Sequence, residues 1–256
     1  MIHFVGAGPG AEDLITVRGQ RLLREADVII YAGSLVNPGL LKEAGEACRI
    51  YNSAVMTLEE VIAVMKQAEA EGLKTVRLHT GDPCLYGAIR EQMDRLEEEG
   101  ISYEVCPGVS SFCGAAASLQ AEYTLPGISQ TVIITRMEGR TPVPEREKLR
   151  SLAAHQSTMV LFLSTGLLVQ VREELLAGGL APDTPCAICY KATWEDEKIV
   201  WGVLDELPEL AERAGIRKTA LIVVGKVLES EYELSRLYAA DFTTEFRQGR
   251  KDEGQK

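Results

Sequence analysis

The sequence lacks any run approaching the ~18 consecutive apolar residues that a membrane-spanning helix needs. It opens without a basic segment or a long apolar stretch. Met1-Ile2-His3-Phe4-Val5-Gly6 enters a strand-like run directly, unlike a secretory signal. Both absences predict a cytoplasmic chain with no membrane contact. Positive charge is also scarce: 27 Lys and Arg face 38 Asp and Glu, for a net charge of −11. Such a chain repels nucleic acid and anionic membranes as a whole, so an anionic small molecule can bind only where basic residues cluster.

Several catalytic signatures are missing as well. There is no P-loop, no Ser/His/Asp order with nucleophile-elbow spacing and no metal-ligand spacing. These absences argue against the usual hydrolases, kinases and metalloenzymes. The six cysteines (Cys48, Cys84, Cys106, Cys113, Cys186, Cys189) lie in apolar surroundings and are expected to be reduced and buried. Cys186 and Cys189 form a lone C-x-x-C inside a strand-like run, which reads as core packing rather than zinc or redox chemistry. A reaction that needs no strong protein nucleophile fits better. Methyl transfer from a sulfonium is one, because the donor is already activated and the protein mainly orients the reactants and excludes water.

What is present is an alternation of short apolar runs and amphipathic stretches. The runs in the first half are Ile2–Val5, Val28–Tyr31, Thr75–Leu78 and Ser102–Cys106. A helix starts at Thr57 with Glu60 in a capping box, carries Leu58, Val61, Ile62, Met65 and Ala68 on one stripe, and ends at Gly72. A second spans about Ala88 to Glu99. This pattern predicts parallel strands with crossover helices. Pro126-Gly127 breaks it, and we expect two α/β domains, residues 1–122 and 130–247. The second half predicts strands at Thr131–Thr135, Thr158–Leu163, Cys186–Tyr190, Lys198–Val203 and Ala220–Val224. Helices are expected near Glu145–Ala154, Gly166–Ala177 and Leu207–Ala214. The short turn Thr193–Glu197 suits a hairpin and hence a mixed sheet. The tail after Gln248 is polar, and disorder is expected there.

Ligands in open α/β sheets bind beyond the carboxyl ends of strands, so those loops are the candidates. The first, Gly6-Ala7-Gly8-Pro9-Gly10-Ala11, matches a dinucleotide pattern only weakly. Pro9 lacks an N–H for a phosphate, and the second strand ends in Tyr31-Ala32-Gly33-Ser34 with no acid to hold a ribose. A nicotinamide or flavin cofactor is therefore not expected. Thr80-Gly81-Asp82-Pro83 places a carboxylate just past a strand; it serves either a ligand or an Asx-turn. His79 reads as a packed histidine. Pro107-Gly108-Val109-Ser110-Ser111 repeats the arrangement with hydroxyls, which serve to cap a helix at Phe112–Leu119 or to face a ligand. Arg136, Arg140 and Lys191 put positive charge on loops of an acidic chain, as carboxylate recognition requires.

Taken together, Gly6-Ala7-Gly8-Pro9-Gly10, Thr80-Gly81-Asp82-Pro83, Pro107-Gly108-Val109-Ser110-Ser111 and Ala220-Leu221-Ile222-Val223-Val224-Gly225 resemble the tetrapyrrole (class III) methyltransferases. Tyr31-Ala32-Gly33-Ser34-Leu35-Val36, Gln130–Arg136 with Glu138–Pro144, and Tyr190-Lys191-Ala192-Thr193-Trp194 with Asp196–Ile199 are similar to the branch that methylates ring carbon C11. The resemblance implies two α/β domains with S-adenosylmethionine in the cleft between them, S-adenosylhomocysteine as product, a homodimer, and a tetrapyrrole substrate with several carboxylates on the route to cobalamin. It implies donor contacts at Pro9, Thr80, Gly81, Asp82, Leu85, Ser110, Ser111, Leu163, Ala192, Thr219 and Ala220. Asp82 would meet the ribose or methionine end, and Leu163 and Ala220 would pack near the adenine. Arg136, Arg140 and Lys191 are the candidates for substrate carboxylates. No metal site and no general base are assigned. The family's His-Gly-Phe/Tyr-Arg-like stretch near the C-terminus is replaced here by Thr244-Glu245-Phe246-Arg247. The competing readings are a sister methylase for another ring carbon, a related enzyme acting on ribosomal RNA or a translation-factor histidine, and a non-catalytic S-adenosylmethionine-binding protein.

Overall fold

The computed structural model describes residues 1–229 and 231–250. Among them no helix is long and apolar enough to cross a membrane. Five strands form the first sheet: β1 (Ile2–Gly6), β2 (Val28–Tyr31), β3 (Arg49–Asn52), β4 (Thr75–His79) and β5 (Tyr103–Cys106). Their order is β3-β2-β4-β1-β5 and every pairing is parallel, with Ile2 opposite both Thr75 and Tyr103. Parallel sheets covered on both faces need apolar side chains on both faces. The central strands obey this: β4 is buried throughout, and Ile2, Phe4, Ile29 and Ile30 are fully buried.

Helices α1 (Val17–Arg24), α2 (Leu58–Ala70), α3 (Arg90–Glu98) and α4 (Ser111–Leu119) belong to this unit. Leu23 of α1 joins Val5, Ile29, Val76 and Leu78 in one apolar layer. Val61, Ile62 and Met65 of α2 and Leu96 of α3 join Phe4 and Ile30 in the other. The predicted capping box at the start of α2 is present, with Thr57 and Glu60 each accepting the other's backbone N–H. Helix α3 starts two residues later than its periodicity predicts. Ala88 has φ +49°, a left-handed backbone that cannot enter a right-handed helix.

The chain path matters for function. The connection leaving β1 runs toward β2, whereas the one leaving β4 runs toward β5 on the opposite side. The carboxyl ends of β1 and β4, side by side in the sheet, form its topological switch point.

The second sheet contains β6 (Val132–Arg136), β7 (Thr158–Phe162), β8 (Pro185–Tyr190), β9 (Lys198–Val203) and β10 (Ala220–Val224), in the order β6-β7-β10-β8-β9. It is mixed, as the spacing predicts: β6 and β7 are parallel, β7 and β10 antiparallel. Helices α5 (Leu149–Ala153), α6 (Leu168–Ala177) and α7 (Leu207–Ala214) accompany it. The first two are shorter than their sequence suggests. Tight 3₁₀ turns at Glu145–Glu147 and Thr165–Leu167 replace their first residues, and an extended Lys148 separates α5 from its turn.

Backbone proximity divides the chain into two compact units. One comprises Met1–Leu119, Cys189–Ile199 and Lys218–Leu221; the other comprises Gln120–Ile188, Val200–Arg217 and the chain from Ile222 onward. Beyond Gln248, Gly249 and Arg250 donate backbone hydrogen bonds to Thr243 Oγ1 and to the Ala240 carbonyl. The rest of the tail lies outside the described residues. Arg247 turns inward on its own segment, donating to the carbonyls of Leu237, Ala239 and Phe242.

The cysteines divide more evenly than expected. Cys106, Cys186 and Cys189 are buried and Cys48 is half-buried, but Cys84, in the loop after β4, and Cys113, in the first turn of α4, are exposed. No group of three or more His, Cys, Asp or Glu side chains among the described residues is placed to hold a metal.

Candidate functional site

The loops after β1, β4 and β5 are built into one another. Gly8 and Gly81 exchange backbone hydrogen bonds of 3.2 and 2.8 Å, and Ala7 N–H donates to the His79 carbonyl at 2.7 Å. Both glycines have positive φ, +80° and +59°, which a side chain would strain. Gly108, after β5, packs against Gly6 and the Gly81 carbonyl so closely that neither Gly6 nor Gly108 has room for a Cβ.

Asp82 ties the second loop to the third. Its Oδ1 accepts from Cys84 N–H and its Oδ2 from Gly108 N–H, both at 2.8 Å. Burial acts to raise its pKa, but the hydrogen bonds from Cys84 and Gly108 outweigh it and hold the carboxyl below its usual range. Asp82 is thus an Asx-turn and an inter-loop clamp at once. Ser110 is buried, and its carbonyl accepts from Cys113 and Gly114 N–H, opening α4. Ser111 contacts the Gly81 turn, and Pro9 packs on Gly114. Thr80 and Leu85 are half-buried on either side of Asp82, and Leu85 N–H donates to the Asp82 carbonyl.

His79 ends β4 fully inside the unit, 6.2 Å from the Phe4 ring. Its Nε2 has no partner, and burial together with nearby Arg77 pushes its pKa down to about 3. The imidazole is neutral and packed, as the sequence suggests.

The same unit contains the turn after β8. Lys191, Thr193 and Thr219 are left-handed, with φ of +46°, +72° and +59°. Such conformations cost on the order of 1–3 kcal/mol each in non-glycine residues and concentrate at functional sites. Ala192, buried between two of them, is held from both directions, since Lys191 N–H donates to the Thr219 carbonyl and Thr193 N–H to Glu197. Ala11 N–H donates to Thr193 Oγ1 at 3.0 Å, and the Trp194 indole N–H to the Pro9 carbonyl at 3.2 Å. Ala220, buried, begins β10 directly after Thr219.

Ten of the eleven donor candidates therefore lie in one unit. Leu163 belongs to the other; it follows β7 with φ +52° and is 67% exposed. The three basic candidates differ in their commitments. Lys191 Nζ hydrogen-bonds Asp196 at 2.6 Å and lies 4.9 Å from the Trp194 ring centre. Arg136 is the last residue of β6 and donates to the carbonyls of Met137, Thr141 and Pro142, so it organises its own loop. Arg140 is exposed, and no hydrogen bond or ion pair to it is found among the described residues. Glu197 and the roles of Thr193 and Trp194 escape a residue-by-residue reading; the signal for them is that Tyr190–Trp194 and Asp196–Ile199 are among the segments that carry the family resemblance.

Comparison with known proteins agrees with this geometry. Residues 1–208 match the model of the Tetrapyrrole (Corrin/Porphyrin) Methylases. The chain is 56% identical over 251 residues to a cobalt-precorrin-4 C(11)-methyltransferase of Methanocaldococcus jannaschii, covering 98% of this chain and 97% of that one. It is 46% identical to a precorrin-4 C(11)-methyltransferase of Pseudomonas aeruginosa, with 97% and 99% covered. The X-ray structure of a cobalt precorrin-4 methyltransferase superposes with a TM-score of 0.87 at 48% identity, covering 89% of this chain and 95% of that one. A uroporphyrin-III C-methyltransferase from Thermus thermophilus, solved with S-adenyl homocysteine, gives 0.74 at 28% identity, with 89% and 93% covered. The chain belongs to the tetrapyrrole (corrin/porphyrin) methylase family.

Proposed function

We propose that this protein is an S-adenosylmethionine-dependent C-methyltransferase that methylates C11 of precorrin-4 or cobalt-precorrin-4, giving the corresponding precorrin-5, a step of cobalamin biosynthesis. The observation that carries the reading is the 56% identity along 98% of the chain to an enzyme named for that reaction.

The residues fit a sulfonium donor. Gly6, Gly81 and Gly108 let the three loops meet main chain to main chain beside the switch point, where a small ligand can be read by backbone groups. The proposed donor contacts are Pro9, Thr80, Gly81, Asp82, Leu85, Ser110, Ser111, Leu163, Ala192, Thr219 and Ala220. Asp82 stays ionised near neutrality and fixes the shape of its loop, while its remaining lone pairs are available to the donor. S-adenosylmethionine brings an already activated methyl group and leaves as S-adenosylhomocysteine. The protein's part is alignment and exclusion of water, consistent with the absence of an assigned base. His79, neutral and packed, is not that base.

For the substrate's carboxylates, Arg140 is the first candidate because it is exposed and its guanidinium has no partner among the described residues. Arg136 and Lys191 would have to exchange their present partners. A cytoplasmic homodimer completes the proposal.

The test is incubation with S-adenosylmethionine and precorrin-4, with and without cobalt, followed by NMR. A new methyl signal at C11 supports the assignment and reports the metal preference. A methyl on another ring carbon would identify a sister enzyme. Donor binding without turnover on either form would leave a non-catalytic binding protein.

A further inference from the structure

We propose that Glu197 and Trp194 are positioning residues of the methyl-donor site, setting the shape of the arch Lys191–Trp194 from behind. The inference rests on the donor reading above, and it assigns work to two side chains that are not among the proposed donor contacts.

The arch is a backbone in tension. Lys191 and Thr193 both adopt left-handed conformations that their Cβ atoms disfavour, and they flank the buried Ala192. A short turn with two such residues relaxes unless outside contacts over-determine it. Four contacts do so here. On one side, Lys191 N–H is tied to the Thr219 carbonyl at 3.0 Å, and Thr219 is itself left-handed.

On the other side, Glu197 Oε2 accepts both the Thr193 N–H and the Ser118 hydroxyl. One carboxylate oxygen therefore joins the arch to the last turn of α4, the helix whose first turn carries Ser111. Thr193 Oγ1 accepts from Ala11 N–H, which joins the arch to the loop after β1.

Trp194 completes the set. Its indole N–H donates to the Pro9 carbonyl, and its ring lies against Gly10, where a Cβ would overlap it at 2.1 Å. Pro9 has no N–H to offer, so its carbonyl is the polar group that this residue contributes to the contact. Arch, first loop and α4 thus form one hydrogen-bonded unit, with Glu197 and Trp194 at its two ends.

Charge-assisted hydrogen bonds such as those to Glu197 are stronger than neutral ones. Removing the carboxylate leaves the Thr193 N–H without its partner, and the arch gains freedom that donor binding must then remove. The loss should fall mainly on donor affinity, with a smaller effect on the tetrapyrrole side, where Lys191 at the start of the arch is a candidate contact.

The test is calorimetric titration of S-adenosylhomocysteine into the purified protein and its variants, with steady-state kinetics on precorrin-4 and a thermal melt of each. Glu197→Ala should weaken S-adenosylhomocysteine binding about ten-fold. It should raise the KM for S-adenosylmethionine by the same factor, with kcat unchanged and a smaller rise in the tetrapyrrole KM. Glu197→Gln keeps an acceptor oxygen and should recover most of the loss. Trp194→Phe keeps the ring against Gly10, loses only the indole N–H, and should shift donor affinity in the same direction by a smaller factor, about three-fold. It also serves where Glu197→Ala does not fold.

Folded variants that bind S-adenosylhomocysteine like the wild type would overturn the inference. So would equal losses in donor KM, tetrapyrrole KM and kcat, which indicate general damage. A wild-type protein that binds no S-adenosylhomocysteine would instead overturn the donor reading beneath it.

Discussion

Gly6 and Gly108 touch backbone to backbone: a Cβ on Gly6 would stand 2.6 Å from the Gly108 Cα, and a Cβ on Gly108 only 2.2 Å from the Gly81 carbonyl oxygen. The obstacles are main-chain atoms, which cannot rotate away. Gly108→Ala should therefore cost at least the 1–3 kcal/mol typical of overpacking, and should abolish S-adenosylhomocysteine binding by pushing the loops apart. Gly45→Ala, with nothing within 4 Å of its Cβ, is the control and should melt like the wild type. Urea denaturation of both variants reads the difference.

Asp82 makes a pH-dependent prediction. Its folded pKa lies below the usual carboxylate range because hydrogen bonds from Cys84 and Gly108 outweigh the effect of burial. A carboxylate with a depressed pKa adds stability above its unfolded pKa and loses it as pH falls through the folded one. Asp82→Asn lacks this contribution. Its stability should fall less than that of the wild type between about pH 5 and pH 2, measured as the urea midpoint at each pH. If both proteins lose the same amount, the clamp adds nothing to stability. Near neutrality, Asp82→Ala should weaken S-adenosylhomocysteine binding more than it alters the pH–rate profile.

The thiols should sort by environment. Burial pushes Cys186 and Cys189 up to about 12, so neither ionises appreciably near neutral pH. Cys84 and Cys113 are exposed, although hydrogen bonding to Asp82 raises the first and burial the second. Iodoacetamide followed by peptide mass spectrometry should label Cys84 and Cys113 slowly and leave Cys186 and Cys189 unmodified. Saturating S-adenosylhomocysteine should slow labelling at both exposed sites, since they flank Asp82 and Ser111. Labelling unaffected by the ligand would place donor binding elsewhere.

The capping box of α2 offers a test confined to stability. Thr57→Ala removes the acceptor for Glu60 N–H and should cost about 1 kcal/mol. A lower melting temperature with unchanged S-adenosylhomocysteine affinity is expected, because α2 carries none of the proposed donor contacts.

Much of this arrangement can be read in the chain. The glycine-proline turns after β1, β4 and β5 are visible because a buried strand end that turns sharply needs residues of that kind. Thr57 with Glu60 marks its helix because the capping pair is a local device. Strand β3 is not visible. It is an edge strand in which Ile50 faces solvent between Arg49 and Tyr51, so no apolar run announces it. Nor does the sequence reveal that Lys191 and Arg136 are engaged. Asp196 and the carbonyls of the 137–142 loop become their partners only through the local fold, and a basic residue looks the same in a sequence whether its charge is spoken for or not. Glu197 escapes for the same reason, since its partners Ser118 and Thr193 are remote from each other along the chain.

The reciprocal bonds between Gly8 and Gly81 form an antiparallel bridge just past the parallel pairing of β1 and β4 and tie the two loops together where the strands end. Residues that would ordinarily be loop thereby inherit the stiffness of a ladder. The amides of Gly8 and Gly81 should exchange with deuterium as slowly as those of the strands beneath them, with or without ligand. A molecule arriving at this rim meets a surface whose disorder was already given up when the sheet formed.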